Sequence, residues 1–171
     1  MITLNSIVRR ASTGVPGGPP DWNPFRCGDL LQECSLIELT SDAIESRVAM
    51  IIDLRTGLGE EGGDTGIMVV EAVTHFAWSG QVAAARPMLR TIVGFHTRIE
   101  PDAVALRFDL TPESHLTITG GSARYFEGLV PGLGAAQPDL GAGEYRSVEG
   151  GFADWSSECD VLYSFDPGVR G

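Results

Sequence analysis

Between Val48 and Thr119 the chain alternates apolar and polar residues at a period of two, interrupted at short intervals by Pro- and Gly-containing segments. A period of two places successive side chains on opposite faces of an extended backbone, so it selects half-buried β-strands over helices. In Val-Ala-Met-Ile-Ile-Asp-Leu-Arg, Val48, Met50, Ile52 and Leu54 share one side, and Asp53 and Arg55 fall on the other. Gly66 to Trp78 reads as one strand, with Met68, Val70, Ala72, Phe76 and Trp78 on one parity and Glu71 and His75 opposite. Thr91 to Ile99 sets Val93, Phe95 and Ile99 against His96 and Arg98. Val104, Leu106, Phe108 and Leu110 alternate with Arg107 and Asp109, and Leu116 and Ile118 with His115, Thr117 and Thr119.

The connections point the same way. Glu100-Pro101-Asp102-Ala103 and Thr111-Pro112-Glu113-Ser114 each put Pro at the second position of a β-turn, where its fixed φ fits. Thr119-Gly120-Gly121-Ser122 offers two central glycines for a hairpin turn. Turns spaced roughly ten residues apart predict an antiparallel meander of four strands. The fold class expected is mostly β, an antiparallel meander closing as a sandwich or a barrel, with little helix.

Length and composition fit one domain spanning residues 1–171, large enough to fold without disulfides or metal. Residues 12–35, rich in Pro and Gly, form an irregular lead-in, residues 36–130 the β body, and residues 131–171 a loop-rich acidic segment. Ile2, Leu4 and Ile7 suit a short strand or a tail that docks on the body, and Val161, Tyr163 and Phe165 a final strand. Helix is expected only as a turn or two at Gln81 to Leu89, cut short by Pro87, and at Asp29 to Cys34. Gly57 to Gly66 is read as a mobile acidic loop between strands.

The 23 acids against 12 bases, every base an Arg, give a net charge of −11. Such a field repels nucleic acid and anionic lipid and attracts basic partners. The three Cys, an odd count with no secretory signal pattern ahead of them, suit a reduced, cytoplasmic protein. No apolar run reaches the 18 or so residues that span a bilayer.

No motif assigns a chemistry. Gly57, Gly59, Gly62 and Gly63 lack the Lys-Ser/Thr of a phosphate loop. Cys27, Cys34 and Cys159 lack zinc-knuckle spacing and read as small buried hydrophobes. His75, His96 and His115 lie on the polar parity of three strands, which allows a shared metal-binding face or, more simply, ordinary surface histidines. Asp53, Arg55, Glu71, Arg98, Arg107 and Asp109 are expected to form exposed cross-strand ion pairs on that polar face. Glu149, Asp154, Trp155, Glu158 and Asp160 set an aromatic ring among carboxylates: a partner-binding patch if Trp155 is exposed, a cap on the core if it is buried.

The runs VAMIIDLRTG, TGIMVVEAVTHFAWSG and VALRFDL-turn-HLTITGGSARYFEG, within residues 36–130, resemble small β-rich bacterial immunity proteins of polymorphic toxin systems and the uncharacterised families near them. The resemblance implies a non-catalytic protein that neutralises a basic toxin by binding it, with no cofactor. The acidic charge suits that role, since complementary fields speed encounter. The alternative expectation is a small-molecule or metal-binding β domain, or an enzyme, that uses the His/Arg face.

Overall fold

The computed structural model describes residues 1–10, 14–58, 62–80, 88–138 and 151–168. The chain forms β1 (Ile2–Thr3), a short helix α1 (Leu4–Arg10), β2 (Ser35–Asp42), β3 (Arg47–Asp53), β4 (Thr65–Glu71), β5 (His75–Gly80), β6 (Arg90–Glu100), β7 (Ala103–Thr111), β8 (Ser114–Gly120), β9 (Ser122–Leu129) and β10 (Glu158–Phe165). All ten strands join one antiparallel sheet in the order β1-β10-β9-β4-β3-β2-β6-β7-β8-β5. The expected fold class, mostly β with little helix, holds.

The sheet folds over on itself. β2 and β6 pair only at Ser35↔Thr91 and Leu36↔Arg90, a narrow seam. On one side of it lies a layer of β1, β10, β9, β4, β3 and β2; on the other, a layer of β6, β7, β8 and β5. The inward parity of both layers meets in one core: Val48, Met50 and Ile52 of β3, Met68 and Val70 of β4, Leu106 and Phe108 of β7, Leu116 and Ile118 of β8. Phe95 and Phe108 stack at 4.6 Å between ring centroids. These are the side chains the alternation assigns inward.

Two features of the expected meander need correction. β6, β7 and β8 do form consecutive hairpins through the two Pro-containing turns. The Gly120-Gly121 turn, however, makes no hairpin: β9 pairs with β4 and β10 in the opposite layer. The backbone passes there against the end of β4, with the Gly121 N–H donating to Glu71 O at 2.9 Å. A side chain at Gly120 would sit 2.6 Å from that same carbonyl, so only glycine fits. Gly66 to Trp78 is likewise two strands, not one. Ala72 turns at φ +50, and β4 stays in the first layer while β5 crosses to the second to pair with β8.

The first layer is buried on its outer face as well. Ala49 and Ile51 of β3, Ile67 and Val69 of β4 and Phe126 of β9 form a second core with Leu4, Ile7 and Val8 of α1, and with Val130, Leu133, Ala153 and Cys159. Leu4, Ile7 and Val8 recur at i, i+3 and i+4, which gives α1 one apolar stripe. Thr3 Oγ1 accepts the Ser6 N–H at 3.3 Å and caps the helix. The N–H groups of Leu4 and Asn5 donate to the carbonyls of Ser157 and Trp155, so the helix start is tied to the segment before β10.

Candidate functional site

A cavity of about 300 Å³ opens where the ends of β3, β4 and β9 meet residues 20–34. From the segment read as an irregular lead-in, Trp22, Pro24, Leu30, Leu31 and Cys34 make one wall of this cavity. Short 3₁₀ turns at Pro20–Trp22 and Gly28–Leu31 shape that wall. Asn23 pins it, its side chain donating to Asp166 O and accepting the Phe25 N–H, both at 3.0 Å. Trp22 meets Tyr163 edge-on at 5.8 Å, which joins the wall to β10.

The opposite wall comes from β9 and the β3–β4 connection. Tyr125 and Glu127 share the inward parity of β9 with Ala123, so Glu127 is a carboxylate on the core side of a strand. It is only 9% exposed. The Gly63 N–H donates to its Oε1 at 2.7 Å, and among the described residues its carboxylate makes no ion pair. Burial pushes the Glu127 carboxyl above the usual carboxylate range, partly offset by the Gly63 hydrogen bond. Tyr125 is pushed well up, first by burial and then by the charges of Glu127 and Cys34. The Cys34 thiol rises to about 12, mainly through burial and then through Asp53, Glu127 and Glu33. Among the described lining residues there is no Arg, Lys or His.

Glycines of the β3–β4 connection and of β4 itself let the backbone lie on these groups. A Cβ at Gly62 would sit 2.0 Å from Glu127 Oε1, and one at Gly66 would sit 2.6 Å from the Tyr125 hydroxyl. Gly62 thus lies against the Glu127 carboxylate and Gly66 against the Tyr125 phenol, and the stretch read from sequence as a loop to Gly66 gives way to β4 at Thr65. Residues 59–61 of that stretch lie outside the described residues.

The sequence-predicted groups are placed elsewhere. All three histidines do lie on the outer, solvent-facing side of the second layer. His115 Nδ1 lies 2.7 Å and His96 Nε2 3.3 Å from the Asp109 carboxylate, and Arg107 Nε donates to it at 2.8 Å. Burial would raise the Asp109 carboxyl, but the hydrogen bonds of Arg107 and His115 outweigh it and bring it below the usual range. His75 pairs with Thr119 while His115 pairs with Ser79, so four residues of strand, about 13 Å, separate the two histidines. Among the described residues no group of three or more His, Cys, Asp or Glu is placed to hold a metal. His96 and His115 thus meet at a carboxylate, and His75 stands apart.

Nor do the six expected ion-pair residues share one exposed face. Arg107–Asp109 and Arg98–Glu100 are exposed pairs of the second layer, and Glu71 pairs with Arg47. Asp53 and Arg55 are buried in the first layer, both side chains 3% exposed. Arg55 donates to the carbonyls of Leu133, Ala136 and Gly151 at 2.7, 2.8 and 2.9 Å, and so clamps two covering segments onto the sheet.

Of the C-terminal set, Glu149 lies outside the described residues, as does most of the segment Gln81 to Leu89 expected to be helical. Trp155 packs against the second core. The Asp154 carboxylate is held by Ser156 and Ser157, which lower its pKa against the opposing effect of burial. Glu158 and Asp160 are exposed. Cys34 and Cys159 are buried as expected, but Cys27 is exposed.

Sequence reasoning passed over Tyr125 and Glu127. The available signal was Glu127 itself, a charged residue on the parity of Ala123 and Tyr125. No helix among the described residues is long and apolar enough to cross a membrane. Comparison with known proteins gave no matching family model, no matching curated protein and no matching solved structure.

Proposed function

We propose that this chain is a small-molecule-binding β domain whose site is the cavity between residues 20–34 and the ends of β3, β4 and β9. One observation carries the reading: Glu127 holds a buried carboxylate against a cavity wall with no cation opposite it among the described residues. Burying an unpaired carboxylate costs stability, and such costs concentrate at sites of binding or chemistry. The cavity, at about 300 Å³, sits at the small end of ligand pockets. Apolar walls with a few converging polar groups are what such pockets share.

The test is a thermal-shift screen of small amphiphiles against the wild type and a Leu54→Trp variant, whose larger side chain fills the cavity. Ligands should raise the wild-type melting temperature and lose that effect in the variant. Equal shifts in both proteins, or none in either, would overturn the reading.

A second reading keeps the immunity-type role, binding of a basic protein in a reducing, cytoplasmic setting. The net charge of −11 and the exposed Glu158 and Asp160 on β10 favour it. A basic partner captured from lysate at low salt should be released at high salt. Retention that ignores salt would count against it.

A further inference from the structure

We infer that the cavity selects a primary amine on a small apolar frame, recognised by Glu127. The inference rests on the ligand-site reading and adds the chemistry of the ligand. Glu127 is nine-tenths buried, and among the described residues its one backbone donor, Gly63, engages Oε1. A bound ammonium supplies the N–H donors and the positive charge that the carboxylate lacks, and charge-assisted bonds of this kind are the strong ones. The other polar groups at the wall, the Tyr125 hydroxyl and the Cys34 thiol, can donate or accept a hydrogen bond but carry no positive charge. A ligand carboxylate or phosphate would meet Glu127 with no cation beside it among the described residues.

The remaining walls fit the rest of such a molecule. Leu30, Leu31 and Leu54 give apolar surface, and Trp22 gives an aromatic face that attracts cations. The volume holds roughly ten waters, room for a frame of about ten non-hydrogen atoms. The acidic field of the whole chain draws cations toward the protein and repels anions.

Three probes of matched shape separate the possibilities: 3-phenylpropylamine, 3-phenylpropanol and 3-phenylpropionate, titrated calorimetrically into the intact chain. The amine should bind about tenfold more tightly than the alcohol, the difference between a charged and a neutral hydrogen bond. The propionate should bind most weakly. Glu127→Gln, which keeps the shape and the acceptor for Gly63, should erase the preference for the amine while the alcohol still binds. If the alcohol or the propionate binds as well as the amine, and Leu54→Trp abolishes that binding, the cavity is a ligand site but the amine inference falls. If none of the three binds the wild type, the ligand-site reading falls with it.

Discussion

The two layers are built from strands of similar sequence texture but differ in what lies behind them. β7 and β8 carry Arg107, Asp109, His115 and Thr117 on their outer side, in contact with solvent. β3 and β4 carry Ala49, Ile51, Ile67 and Val69 on theirs, under α1 and the segments around Leu133 and Ala153. An antiparallel sheet can leave one face wet, and the second layer does so. The first layer is covered on both faces, and at one end of its inner face residues 20–34 enclose a buried carboxylate beside a cavity. Charge is solvated in one layer and enclosed in the other.

The sharpest contrast is between two ion pairs. Arg55→Ala strands buried Asp53 and frees three carbonyls, so it should cost about 3–5 kcal/mol in urea denaturation. Arg107→Ala, at an exposed pair, should cost under about 1 kcal/mol. Comparable losses would erase the distinction between the layers. Next, Ile67→Ala should cost about 2–5 kcal/mol by emptying the second core. Thr117→Ala, on the open face, should stay within about 0.5 kcal/mol by the same measurement.

A smaller effect attaches to Glu127. Its pKa is raised in the folded protein, so the folded state holds the proton over a pH range in which the unfolded chain has lost it. Stability therefore falls as pH rises from about 4, the ordinary Glu value, through the raised folded value. Glu127→Gln should remove that fall and raise the melting temperature by a few degrees at neutral pH. Scanning calorimetry of both proteins across this range checks it. Asp109 has the opposite sign and the smallest effect. Its lowered pKa contributes stability above about pH 3.9, lost as pH falls through the lower folded value. Because the group is half-buried and its Arg107, His96 and His115 partners are exposed, Asp109→Asn should cost under about 1 kcal/mol at neutral pH, less in high salt, and nothing once both proteins are fully acidified.

The second layer was the legible one. Val104, Leu106, Phe108 and Leu110 point inward as their alternation predicts, because solvent on the other face forces polar residues there. In β3 the run Ala49-Met50-Ile51-Ile52 is apolar on both parities, the pattern of a strand covered twice. Reading only the even positions hid the outer core. Asp53 and Arg55 were read as a wet pair because period two assigns a face but not what covers it. The crossing at Gly120-Gly121 was illegible for a related reason: its glycines permit a hairpin and a crossover alike, and contact with Glu71, far away in sequence, decides between them. The cavity depends on residues 20–34 meeting β9 across more than ninety residues of chain, and no local pattern encodes that meeting.

The native thiols test the double coverage of the first layer without any mutation. Cys159 lies in the second core, its thiol raised to about 12 chiefly by burial, whereas Cys27 is exposed. Treating the folded protein with a thiol reagent and mapping the modified peptides over time should show Cys27 modified rapidly. Cys159 should be modified only at the rate of unfolding. Modification of Cys159 in the folded protein as fast as Cys27 would mean that the outer face of the first layer is bare.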